Sequence, residues 1–322
     1  MLESNQSQVV EYPRKAIMTG TLWFSCFSVI PFFVTPMFRL FFTIIAVCLL
    51  VSSGLAAEGN YVLLKNDSVS LADRVKELQS RGIVLYDYHI HLRGGMTAEK
   101  AALRQQFSGI RSGVLENFGR DWPLADNEKL RAFIDDAKKV RADGRTMKIG
   151  IQVNDRDWST QIDPELFRTL DYILADTMIM GITSDGKPAK MWLDDYKIGD
   201  PDRWMNGYMN HNRQILGEPI SILANPTYLP EPVEHLYDQL WTEERMKEII
   251  QLAVRKNIAI EIQAGSKFPS LKFLKLAKKL GAKFSFGVNN ADDQPRQIDR
   301  WFEVIDELKL EKDDLWQMRE GK

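Results

Sequence analysis

Cysteine is almost missing from this sequence. Of 322 residues only two are cysteine, Cys26 and Cys48, and none occurs from residue 58 onward. A disulfide, a zinc–thiolate site and a cysteine nucleophile are thereby excluded from the larger part of the chain. An excess of one charge is also missing. The 42 basic residues stand against 44 acidic ones, for a net charge of −2. Such a balance gives no basic face for nucleic acid and no case for an acidic or membrane-surface partner. There is no glycine-rich phosphate loop after a strand, so an open dinucleotide-binding sheet is not indicated. After residue 58 there is no short repeat, linker or low-complexity segment. With 44% hydrophobic and 27% charged residues the chain can bury a core.

Charge is scarce again in residues 16–57, where only Arg39 interrupts an apolar stretch. From Met37 the order is a basic residue, an apolar run from Phe41 to Val51, and a small-residue exit ending at Ala57. That order describes a secretory signal with Met37 as the start, residues 1–36 being superfluous. The alternative is a retained membrane anchor over residues 1–57, although Pro31 and Pro36 break its first half. Residues 58–322 are then one exported domain, or one tethered to a membrane if the segment is kept.

What is present from residue 60 is a repeated alternation. Seven β-branched runs, at 83–91, 113–117, 147–153, 172–176, 220–225, 258–263 and 283–288, alternate with amphipathic helical stretches at 97–109, 127–143, 242–256 and 270–281. Such alternation predicts a parallel sheet with helices outside, and seven units predict a closed (β/α)7 barrel. The stretch 186–217 is long and aromatic. It reads as an irregular insertion, or lid, over one barrel mouth.

Active sites of parallel α/β folds lie at the carboxyl ends of the strands. Here every strand ends in a polar side chain. The first ends Asp87-Tyr88-His89-Ile90-His91, and strict alternation puts Asp87, His89 and His91 on one face. Two of only four histidines are placed there, spaced to chelate one cation. The other ends supply Glu116 and Asn117, Gln152 and Asn154, Asp176, Asn225, Glu261 and Gln263, and Asn289 and Asn290, with Asp292 and Asp293 beyond. His235 reads as a surface or packing residue.

Three segments together resemble the polymerase and histidinol phosphatase (PHP) family: Asp87-Tyr88-His89-Ile90-His91-Leu92 followed by a helix and Ser108-Gly109-Ile110; Ala259-Ile260-Glu261-Ile262-Gln263; and the run from Phe273 to Gly287. The likeness spans residues 83–291. It implies a distorted seven-stranded barrel, a cluster of up to three metals and phosphoester hydrolysis. Only His89 and His91 carry over unchanged. Where the family has anionic or imidazole ligands, this chain has Glu116-Asn117, Gln152, Asn225 and Asn289-Asn290. That set predicts one divalent ion (zinc, manganese or iron) rather than three, held by His89, His91 and either Glu116 or Asp176.

Two functions follow. The first is a metal-dependent phosphoesterase. Its catalytic carboxylates would come from Glu116, Asp176 and Glu261, and Arg93, Lys190 or Lys267 would neutralise an anionic small-molecule substrate. The second is a pocket without hydrolytic chemistry for a polar ligand such as a sugar. Gln152, Asn225, Gln263, Asn289, Asn290 and the tryptophans of the insertion would bind it.

Overall fold

The computed structural model describes residues 61–63, 70–142 and 145–318. The signal or anchor expected within residues 1–57, the start at Met37 and both cysteines lie outside the described residues. Among the described residues, no helix is long and apolar enough to cross a membrane.

Seven strand positions form the centre. These are β1 (Tyr86–His91), β2 (Arg111–Leu115, resuming as Asn117–Phe118), β3 (Met147–Val153), β4 (Tyr172–Asp176), β5 (Ile222–Ala224), β6 (Ala259–Gln263) and β7 (Phe284–Gly287). Each pairs in parallel with its sequence neighbours. β7 also pairs with β1, through Phe286 and Asp87, and this closes the barrel. The (β/α)7 expectation is therefore met. A two-residue strand, Tyr61–Val62, lies parallel to Arg296–Gln297 outside the barrel.

The helices are α1 (Leu71–Ser80), α2 (Ala98–Ser108), α3 (Asn127–Ala142), α4 (Pro164–Thr169), α5 (Pro201–Gly217), α6 (Glu243–Lys256), α7 (Leu271–Lys279) and α8 (Asp299–Leu308). Their ends follow local chemistry. The hydroxyls of Thr97, Thr242 and Ser270 accept from backbone N–H groups of the first turns of α2, α6 and α7. Gly109, at φ 75°, lets α2 stop in the left-handed conformation. Between barrel and helices lies the main apolar core, with Trp158, Trp241 and Trp301 fully buried.

Two expectations are corrected. The stretch 186–217 is not irregular. It contains the second strand of a hairpin (Ile179–Ile182 with Pro188–Lys190) and then α5, a regular barrel helix. Trp204 stacks on buried Tyr208 with centroids 5.1 Å apart and donates to Tyr196, so these aromatics serve packing. Nor does β1 alternate strictly, because a bulge interrupts its pairing with β2 between Asp87 and Ile90. The extra residue flips the phase. Asp87 turns to the Tyr61 hydroxyl (2.9 Å), whereas His89 and His91 share the interior with ring centroids 5.1 Å apart.

Candidate functional site

The interior is stacked in two layers. At the amino end of the strands, Tyr88, Tyr172, Leu174, Ile222 and Trp316 make an apolar cluster separate from the main core. Gly150 leaves room for it: a Cβ there would stand 2.6 Å from Cζ of Tyr172. Toward the carboxyl ends the layer above is polar and buried, and it gathers His89, His91, Glu116, Gln152, Asp176, Asn225 and Glu261.

His89 organises that layer. Its Nδ1 lies 2.6 Å from Glu261 Oε1 and its Nε2 lies 2.9 Å from Gln152 Oε1. The Gln152 amide cannot be reversed, because its nitrogen stands between Asn154 Oδ1 (3.1 Å) and Asp176 Oδ2 (3.2 Å). Both ring nitrogens of His89 therefore face acceptors and both carry hydrogens. Burial alone would discharge the ring, but the Glu261 carboxylate and its hydrogen bond outweigh burial and raise the His89 pKa. Gly287 leaves space for this pair, since a Cβ there would lie 2.2 Å from Glu261 Oε1.

The carboxylates are equally occupied. Glu261 Oε2 accepts from the Asn225 backbone N–H at 2.9 Å. Asp176 Oδ1 accepts from Met178 N (2.9 Å) and Asn225 Nδ2 (3.0 Å). Burial raises the Asp176 pKa. Glu116 accepts from Asn117 N at 2.8 Å and from Arg93 Nε at 3.1 Å and Nη2 at 2.5 Å. His91 Nδ1 is 3.3 Å from Glu116 and in close contact with Arg93. Burial pushes the His91 pKa down to about 4, so this ring is neutral.

These donors fit a divalent ion poorly. Among the described residues no three His, Cys, Asp or Glu side chains stand so as to hold one. All six carboxylate oxygens of Glu116, Asp176 and Glu261 face N–H groups. Beside His89 Nε2 stands a neutral amide, and that amide turns its nitrogen to Asp176. Binding an ion on His89, His91 and Glu116 or Asp176 requires this network to be dismantled.

The remaining candidates are dispersed. Asn290 is a staple between strands: its Oδ1 accepts from His91 N (2.8 Å) and its Nδ2 donates to the carbonyls of His91 (3.0 Å) and Asp292 (2.9 Å). Its amide is thus fully engaged by backbone. Asn289 is half-buried, and its backbone N–H donates to the His89 carbonyl at 3.0 Å. Gln263 is half-buried at the end of β6. Lys190 lies over the rings of Trp122 and Trp192, at 5.3 and 5.9 Å, outside the buried layer. Lys267 is exposed and pairs with Glu234. Asp292 pairs with Arg296, Asp293 with Lys100, and His235 is exposed. Asn225 (φ 49°), Thr227 (φ 61°) and Asn289 (φ 49°) all adopt the left-handed region at the carboxyl ends of β5 and β7. This conformation is costly for a β-branched residue and concentrates at functional sites.

Sequence reasoning missed the neighbouring cavity. A space of about 810 Å³ opens at the carboxyl ends of β2 to β4, bounded by the 179–190 hairpin and α5. His211 lines it. The signal was the spacing of Gly207, Asn210, His211 and Gln214, which is one helix face. It became visible only once 201–217 was a helix.

Neither a family model nor a curated protein matches the sequence. Among solved structures the chain is similar to an amidohydrolase from Brucella melitensis, with 12% identity and a TM-score of 0.36 over 66% of this chain and 45% of that one. It is also similar to a dihydroorotase from Campylobacter jejuni, with 14% identity and a TM-score of 0.35 over 70% of this chain and 64% of that one. This chain covers less than two thirds of either protein's length, and its assignment as a seven-stranded barrel rests on its own strand pairing.

Proposed function

We propose that the barrel mouth binds an uncharged, hydroxyl-rich small molecule, and that the His89–Glu261 pair and its amides organise the site in place of a metal ion. One observation carries this reading. The carboxylates of Glu116, Asp176 and Glu261 are saturated by N–H donors, whereas the buried atoms left without partners beside them are neutral: Asn117 Oδ1, Asn154 Nδ2 and His211 Nε2. Hydroxyl groups, each both donor and acceptor, complement such atoms. A buried polar atom without a partner is costly, and a ligand that satisfies it recovers that cost.

The test is thermal unfolding of the purified chain with neutral sugars or polyols and with sugar phosphates, each with and without EDTA. The reading expects a neutral compound to raise the melting temperature equally in both conditions. Stabilisation by phosphate esters alone, lost with EDTA, contradicts it.

A second reading is the metal-dependent phosphoesterase implied by the PHP resemblance. Two observations favour it. Glu261 holds His89 Nδ1 as carboxylates hold the histidines of metal sites, and His91 is neutral, as a ligand must be. In that reading His89, His91 and Glu116 or Asp176 hold one ion, which acidifies a bound water when present. Glu116, Asp176 and Glu261 then serve as the acid–base carboxylates, and Arg93 faces the anionic substrate. Export of the domain belongs equally to proposal. It predicts that the mature protein begins near Glu58.

A further inference from the structure

We propose that the cavity between the 179–190 hairpin, the chain following β3 and one face of α5 is a carbohydrate-binding site in which His211 and Asn154 hydrogen-bond to hydroxyl groups of a neutral sugar. The inference rests on the reading of the mouth given above and deepens it, naming the cavity, the contact atoms and the ligand class.

Four observations converge. The cavity, at about 810 Å³, has the size of small-molecule sites. Two side chains that line it are almost wholly buried, His211 at 7% and Asn154 at 3% exposure, yet His211 Nε2 and Asn154 Nδ2 have no partner.

The hydrogen-bonding sense of the Asn154 amide is fixed. Asn154 Oδ1 accepts from Gln152 at 3.1 Å, so its NH2 group is the free end. Burial, with nearby Arg156, lowers the His211 pKa to about 3, so the ring is neutral, with one nitrogen a donor and the other an acceptor. Both side chains belong to the cavity lining and each keeps one buried atom unpartnered, and a ligand hydroxyl that reaches it can serve as donor or acceptor.

Charge favours a neutral ligand over an anionic one. The lining holds Arg120 and Arg156 against Asp121, Asp155 and Asp157. Arg156 is already gripped by both oxygens of Glu218, at 3.0 and 3.2 Å. No buried cation is left to meet a phosphate, while aspartates suit vicinal diols. Ile182, 74% exposed at the rim, offers an apolar surface to the C–H face of a sugar.

Saturation-transfer NMR on the full chain tests the site, with D-glucose, D-mannose, N-acetyl-D-glucosamine and myo-inositol as probes. At least one probe is expected to show transfer, and glucose 6-phosphate is expected to bind more weakly than glucose. His211→Leu and Asn154→Leu should each weaken the bound probe at least tenfold. Gly207→Trp is the variant least able to disturb the fold. Gly207 is exposed on α5 and lines the cavity, and a Cβ there meets nothing within 4 Å. It should abolish transfer with the melting temperature unchanged, whereas Gly207→Ala should bind like the parent. Transfer that survives Gly207→Trp but is lost in Asn225→Leu overturns the cavity assignment and leaves the mouth reading standing. Tighter binding of glucose 6-phosphate overturns the neutral ligand class. No transfer from the unaltered chain to any probe overturns both readings.

Discussion

At the amino end of the barrel, β1 and β4 contribute Tyr88 and Tyr172, whose rings meet edge to face with centroids 5.3 Å apart, and Trp316 meets Tyr88 in the same way. At the carboxyl end the same two strands contribute His89 and Asp176, tied together through Gln152. The strands and the barrel are shared, but the physical requirements differ. The amino end needs only to fill volume, and one polar contact, from the Tyr172 hydroxyl to the Tyr88 carbonyl at 2.8 Å, suffices. The carboxyl end must satisfy each buried charge and amide, because each one left unpaired costs more than a missing methyl group. The amino end is accordingly a stability device and the carboxyl end the candidate site.

The sharpest way to break this contrast is Glu261→Leu. It leaves the His89 ring without its anion and the Asn225 N–H without an acceptor. Breaking a buried pair should cost about 3–5 kcal/mol, read from denaturant unfolding. Adding His89→Leu should recover much of that loss, because two apolar side chains of similar volume remove the unpaired charge. Ligand binding should not return with it. If the double variant is no more stable than the single one, the pair is not the organising element of the layer.

A smaller effect is expected at the other end. Tyr172→Phe removes one buried hydrogen bond and keeps the ring, so about 1 kcal/mol should be lost with ligand binding unchanged. Altered binding in this variant would show that the two layers are coupled, contrary to the division drawn above.

How much of this was legible in the sequence follows the same division. Six of the seven strands lie within the runs read from residue pattern, and β2 overruns its run at both ends, from Arg111 to Phe118; the runs were legible because a parallel barrel buries its strands in continuous apolar stretches. Helix ends at Thr97, Thr242 and Ser270 were legible because capping is local. The polar strand ends were legible too, and Gln152, Asp176, Asn225 and Glu261 do meet His89 in one layer. The bulge after Asp87 was not legible. It depends on how β1 pairs with β2, a contact that no single segment encodes. Nor was the helix at 201–217. Its Trp204 and Tyr208, with Trp192 and Tyr196 before them, read as part of an irregular aromatic insertion, although Tyr208 and Met209 are buried. Least legible was the state of the candidate ligands, since whether a carboxylate meets a metal or an N–H depends on neighbours from four strands.

A prediction of a different kind concerns pH and sharpens the role of His211 at the edge of the polar layer. Burial depresses its folded pKa to about 3, while the unfolded chain has the ordinary value of about 6.5. Between these values the unfolded state binds the extra proton. Stability from this group is complete above pH 6.5 and is lost as pH falls toward 3, with a limiting slope of about 1.4 kcal/mol per pH unit for one proton. His211→Gln should therefore show a flatter decline in acid than the parent. Parallel curves for the two proteins would mean that His211 is not held neutral.

The central claim is that hydrogen bonds, not a metal ion, organise the carboxyl-end layer. Elemental analysis of the purified chain beside His89→Ala, each after equilibration with zinc or manganese and removal of free ion, tests it most directly. The account predicts well under one ion per chain in both proteins and no difference between them. One tightly held ion per chain, lost in His89→Ala, would contradict it and establish the site as a metal centre.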